Sequence, residues 1–282
     1  MLLGGVLTCV GIAGAYVGGL YVWRHSPPRP RDDPEVIKRR FLSVGCVCAV
    51  SWVPLYLERL RGGGGEGVLQ AAPLSELLGI RAGGLAQAVA LPLMLTSALF
   101  LGPLLTKALH AWEHGASSSE ADLVLARNLV VAPLTEEFVF RACMAPLLRL
   151  RGLGASAAVW ATPLFFGAAH LHHAREMVVH QKVAPARAAL IVAVQFGYTT
   201  VFGWLATFLL LRTGHLAAPV TAHVFCNWMG LPDFAGAARH PRRRLVGAAY
   251  VAGVGLFAAL LFPLTEPRLF SAPTRAAGAF WG

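Results

Sequence analysis

Two adjacent glutamates, Glu136 and Glu137, stand in an otherwise apolar stretch that ends at Arg141. An ionisable side chain at the centre of a membrane helix costs about 2.5–3.5 kcal/mol on insertion scales, so such residues need a partner or a task. Glu137 and Arg141 are four apart, share a helix face and can pair. Glu136 lies about 100° round the helix and has no local counter-ion. That division leaves one carboxylate tied down and the other free for proton chemistry. A second apolar run, 163–169, leads into His170, with His172 and His173 just beyond. His170 continues the apolar helix and is the better site candidate; the other two read as interfacial. A third run carries His223 and Asn227, again four apart on one face. Both can donate hydrogen bonds to a developing oxyanion. Together these residues make a coherent hydrolytic set. Glu136 and His170 activate water, His223 and Asn227 receive negative charge, and Glu137 with Arg141 supports them.

Three rival chemistries use the same residues. Glu136, His170 and His223 could ligate zinc, but no His-Glu-x-x-His sequence is present and Asn227 is a poor zinc ligand, so the reading takes no metal and no cofactor. Cys226 lies three residues after His223 and could be a nucleophile, yet Phe225 and Trp228 beside it suit an inert packed thiol. A transporter could line an ion path with the same polar groups, but no second, inverted set appears. None of the five cysteines forms a Cys-x-x-Cys pair, and they read as buried free thiols.

The elements that must hold these groups follow from composition. Of 282 residues, 56% are hydrophobic and 13% charged, about half the charged fraction of a soluble domain. Apolar runs long enough for spanning helices occur near 2–23, 41–58, 84–107, 122–147, 155–172, 187–211, 215–231 and 246–264. The expectation is an all-α polytopic membrane protein with about eight transmembrane helices enclosing an intramembrane cavity. It forms a single domain over 1–282, with the catalytic core at about 122–231. The first run lacks a convincing cleavage site and reads as a retained span. Segments 24–40 and 59–75, rich in Pro, charge or Gly, read as loops.

The net charge is +10. The basic residues sit between apolar runs, as in positive-inside loops, and no nucleic-acid-binding motif accompanies them, so no nucleic-acid partner is expected. With eight spans and a lumenal N-terminus, fourteen Lys and Arg fall on the odd-numbered loops against eight on the even loops and tail. That bias puts the odd loops in the cytosol. Arg175, Lys182 and Arg242, Arg243 and Arg244 are candidate contacts for acidic lipid or polar substrate segments.

The Glu-Glu-x-x-x-Arg, Phe-x-x-x-His and His-x-x-x-Asn series resembles the CAAX protease and bacteriocin-processing superfamily. The stretches 16–23, 34–41 (PEVIKRRF), 132–144 (APLTEEFVFRACM), 163–173 (PLFFGAAHLHH) and 212–219 (RTGHLAAP) are similar to the eukaryotic CAAX prenyl protease type 2 family. The resemblance runs from about residue 14 to 270. It implies an eight-span endoplasmic-reticulum enzyme that removes the aaX tripeptide from farnesylated or geranylgeranylated CAAX proteins, Ras-like GTPases among them. It also implies that Glu136 and His170 activate water and that His223 and Asn227 line the oxyanion site.

Overall fold

The computed structural model describes residues 2–23, 29–61, 67–114, 122–179 and 181–270. Among these, every regular element is helical. Helix α1 is Leu2–Gly19. Helices α2, Pro34–Ser51, and α3, Val53–Arg61, run on as one long stretch, followed by the short α4, Gly67–Ala71, and α5, Leu74–Leu77. Helices α6, Leu85–Leu99, and α7, Leu101–His114, meet at a bend of 79°.

The next stretch alternates. Helix α8, Asp122–Ala126, passes into a π-helical turn, Arg127–Val131, then α9, Ala132–Glu136, a second π-helical stretch, Glu137–Cys143, and α10, Met144–Leu150. Both π stretches run up to a proline. Pro133 and Pro146 have no N–H to return to Leu129 and Ala142, so the hydrogen-bond ladder widens just before each. Pro163 likewise separates α11, Ala155–Ala161, from α12, Pro163–Ala169. A 3-10 turn, His170–His172, then leads into α13, His173–Val179. The chain closes with α14, Pro185–Thr213, α15, Ala217–Met229, α16, Phe234–Arg239, and α17, Arg243–Leu260.

Four stretches are long and apolar enough to cross a bilayer: α1, α2 with α3, α14 and α17. The bent α6–α7 pair supplies a fifth. The fold is therefore the expected all-α polytopic membrane class, and four to five helices meet the length and apolarity test where eight spans were expected. The runs at 122–147 and 155–172 are interrupted by π turns, prolines and ionisable residues, and α15 has only 13 residues.

Two loop expectations are corrected. Helix α2 begins at Pro34, inside segment 24–40, because Asp33 caps it. The Asp33 carboxylate accepts from the Glu35 and Val36 amides, with proline in the first turn. Charge and proline there mark a helix start as much as a loop. Segment 59–75 likewise contains the end of α3, all of α4 and the start of α5. Glycines 62–65, Arg24 and Arg275 lie outside the described residues.

The core gathers around the Glu137–Leu150 stretch, whose side chains from Val139 to Leu150 are buried. Helix α14 packs against α12 and α15, and α15 packs against α6. Close approach of α14 to α12 depends on Gly203. A Cβ there would lie 2.5 Å from Pro163 Cβ and 3.1 Å from Arg141 Nη2. Gly203→Ala is expected to destabilise by about 1–3 kcal/mol through overpacking. The readout is a thermal midpoint in detergent lowered by several degrees, and an unchanged midpoint would mean the helices separate freely at this contact.

Candidate active site

Helical spacing dictates that Glu136 and Glu137 point in different directions, and they do. Glu137 is wholly buried, whereas the Glu136 side chain is 19% exposed and lines a cavity of about 1290 Å³. Arg141 is 1% exposed and its Nη1 lies 3.2 Å from Glu137 Oε1, the i, i+4 pair expected from sequence. Its guanidinium stacks over the Phe166 ring at 4.0 Å, and none of its three nitrogens makes a well-formed hydrogen bond. Charge and ring contact hold it.

Glu137 has a second partner that the sequence did not reveal. His223 Nδ1 lies 2.7 Å from Glu137 Oε1, and its Nε2 faces Glu136 Oε2 at 3.8 Å. His223, on α15, therefore sits between the two carboxylates, with Phe202 against its ring. Glu136 has a counter-group after all, 87 positions away in the chain. Two carboxylates, a guanidinium and an imidazole thus share one cluster, in which the buried Glu137 carboxylate is paired from two sides. Such pairing matters because an uncompensated buried charge is costly.

His170 follows α12 and lines the same cavity as Glu136. Its Nδ1 lies 2.8 Å from the Phe166 carbonyl oxygen. A carbonyl only accepts, so Nδ1 carries a proton, and in the neutral ring Nε2 then presents the lone pair that a base requires. Asn227 lines the cavity as well, and its Nδ2 donates to the Asn128 carbonyl at 2.9 Å. The amide keeps a second N–H. The structure thus brings Glu136, His170, His223 and Asn227 to one cavity, with Glu137 and Arg141 directly behind it. His223 does not act with Asn227 alone; its two nitrogens address the carboxylates.

His172 and His173, read from sequence as interfacial, also line the cavity, and His173 Nδ1 lies 2.9 Å from Gln195 Oε1. The chain continues into α13 there rather than leaving as a loop. Sequence reasoning also missed Tyr16, whose hydroxyl meets Thr135 Oγ1 at 2.9 Å and braces the turn bearing Glu136. A lone tyrosine in an apolar run gave no signal for it. Among the described residues no three His, Cys, Asp or Glu side chains converge as metal ligands would. Both His223 nitrogens face carboxylates rather than the free thiol of Cys226.

The cavity lining changes along α14. Gln195 and Tyr198 lie toward the start of the helix, and Trp204 and Phe208 lie six to thirteen residues further on, with Trp160 and Phe262 against their rings. Phe202, which packs on His223, falls between the two groups. One end is thus aromatic and apolar and the other polar, and Arg31, Arg40, Arg127 and Asn128 also line the cavity. Arg127 Nη1 bonds Asp32 Oδ1 at 2.7 Å, which holds the Asp32 carboxyl below its usual range.

An all-helical membrane protein with a carboxylate, histidines and an amide lining one cavity has the groups a membrane-embedded hydrolase needs. Comparison with known proteins makes the assignment narrower. Residues 119–229 match the family described as Type II CAAX prenyl endopeptidase Rce1-like. The chain is 43% identical to CAAX prenyl protease 2 of Homo sapiens, over 94% of this chain and 82% of that one. It is 38% identical to CAAX prenyl protease 2 of Arabidopsis thaliana, over 95% and 92% respectively. A protein of the same name from Caenorhabditis elegans is 32% identical, over 82% and 87%. No solved structure matches. The chain belongs to the CAAX prenyl protease 2 family, and it is a membrane protease.

Proposed function

We propose that the protein removes the aaX tripeptide from farnesylated or geranylgeranylated CAAX proteins, Ras-like GTPases among them. It does so at the endoplasmic reticulum membrane, with its polar cleft open to the cytosol. The observation that carries this reading is the bipolar cavity, in which Glu136 and His170 lie between an aromatic, apolar end and a polar, cationic one. A prenyl chain partitions into apolar surroundings at about 0.8 kcal/mol per CH₂, and the apolar end suits it. The peptide beyond the modified cysteine then lies across the carboxylate and toward water. The cytosolic orientation follows the eight-span reading of the sequence, in which Lys and Arg gather on the odd-numbered loops.

In this mechanism Glu136 accepts a proton as water attacks the scissile carbonyl carbon, with His170 Nε2 helping to orient that water. Negative charge developing on the carbonyl oxygen is met by His223 and by the free N–H of Asn227. Collapse breaks the C–N bond, and the proton held by Glu136 passes to the departing amine. Glu137 and Arg141 fix His223 and touch no substrate. No metal enters the scheme.

The test is incubation of the purified full chain, in lipid nanodiscs, with a farnesylated CAAX peptide and its unprenylated counterpart. Mass spectrometry reads the released tripeptide. The prenylated peptide is expected to react at least about a hundredfold faster, since burial of a few CH₂ groups already supplies that factor. A zinc chelator is expected to leave the rate unchanged. Equal cleavage of both peptides would remove the prenyl assignment, and chelator-sensitive cleavage would turn Glu136 and the histidines into metal ligands.

A further inference from the structure

Three arginines stand together at the polar end of the cavity, and the hydrolytic step uses none of them. Arg40 on α2 is the most telling. Its Nε is buried and has no hydrogen-bond partner, while the residue lines the cavity. Arg127 lines it too, with its side chain 15% exposed and its Nη1 on Asp32. Arg31 completes the group. Desolvation and repulsion from Arg127 and Arg40 lower the pKa of Arg31, as expected where cations crowd together. Asp32 and Glu176 are the acidic groups facing this cluster, and Asp32 is already engaged. A surplus of positive charge with an unmet buried donor calls for an anion.

The distance from the catalytic carboxylate identifies which anion. Arg127 and Glu136 are nine residues apart on one continuous helical stretch, about 13 Å at 1.5 Å per residue. Arg40 lies at a similar level. It is eight residues, about 12 Å, before Cys48 on α2, and Cys48 Sγ meets the Thr135 carbonyl at 3.9 Å. The Asp32–Arg127 and Cys48–Thr135 contacts fix α2 and the Glu136 stretch side by side and in the same direction. Three extended residues span about 10–11 Å. A tripeptide leaving group whose amide bond lies at Glu136 therefore places its free carboxylate within reach of the arginine side chains.

We propose that Arg40 and Arg127, with Arg31 at the rim, bind the C-terminal carboxylate of the substrate and so set the cut three residues from the chain end. The inference rests on the proposed function and adds a ruler to it. The arginines are specificity residues, remote from the bond that breaks. A substrate without a terminal carboxylate, or with one residue more or fewer, forfeits that interaction.

The test compares farnesylated peptides that end in a free acid or a carboxamide, using the full chain in nanodiscs. Wild type is expected to favour the acid by about tenfold to a hundredfold in kcat/KM, the range for charge-assisted hydrogen bonds in a partly desolvated site. Arg40→Gln is expected to bring the acid-to-amide ratio close to one, Arg40→Lys to restore part of it, and Arg268→Gln, exposed and outside the cavity lining, to leave the ratio unchanged. A merely structural role for Arg40 would slow both peptides by the same factor and leave the ratio intact, and that result overturns the inference. So does a wild-type ratio within about twofold of one. Failure of wild type to cut either peptide would instead remove the proposed function, and the ruler with it.

Discussion

Glu136→Gln is expected to lower kcat for a farnesylated CAAX peptide by about 10³-fold or more, with KM changed little. General-base catalysis contributes about 10²–10⁴-fold, and this carboxylate is the one that reaches the cavity while its neighbour is wholly buried. Glutamine keeps the volume and one carbonyl oxygen but cannot take a proton from water. Glu136 stands 3.8 Å from His223, too far for a strong hydrogen bond, so the fold and its thermal midpoint should survive the substitution. Single-turnover kinetics on folded protein separates the two effects. A variant that retains a tenth of the wild-type rate would mean another group is the base. His170, which presents a bare Nε2, would then be the next to replace.

Arg141→Met has the largest expected effect on stability. Arg141 is almost wholly buried, lies 3.2 Å from Glu137 and stacks on Phe166. Removing it leaves Glu137 in a buried site with His223, 2.7 Å away, but without its guanidinium partner. Breaking a buried pair from one side costs about 3–5 kcal/mol. A thermal midpoint lower by about 10 °C follows for a chain of this size. The double variant Glu137→Gln with Arg141→Met removes the stranded charge and is expected to recover part of the loss. A double variant no more stable than the single one would show that packing on Phe166, rather than charge, is what Arg141 supplies. Activity should fall in both, because Glu137 also fixes His223.

The residues of this cluster were legible in the sequence, but their connections only in part. The Glu137–Arg141 pair could be read because an i, i+4 spacing on a helix is a local fact. The place of His223 could not. Local spacing joined it to Asn227, its neighbour on α15, whereas packing of α15 against the Glu136 stretch put it between two carboxylates from elsewhere in the chain. The same limit explains the missed arginines, since Arg40 and Arg127 come together only through the packing of α2 on that stretch. At 24–40, composition argued for a loop and overrode a local signal, Asp33 followed by Pro34 and Glu35, that marks a helix start. The span count suffered from the reverse problem. A hydropathy reading sees apolar runs, but prolines and ionisable residues interrupt two of those runs, and α15 is short.

The two π-helical stretches on either side of α9 have a consequence for how this gene can change. Each holds one residue more than an α-helical turn takes, and the widened turn absorbs it. Deleting one residue inside either stretch would let the ladder close into a regular α-helix with the flanks left in phase, but residues inside the stretch would turn by about 100° against those flanks. Glu137 and Arg141, inside the second stretch, would then lose their present faces relative to Glu136. Substitutions at the outward positions of this segment, such as Val130 and Leu134, leave that phase untouched. The segment should therefore drift in spelling while keeping its length, and its reading frame of faces is inherited as a unit.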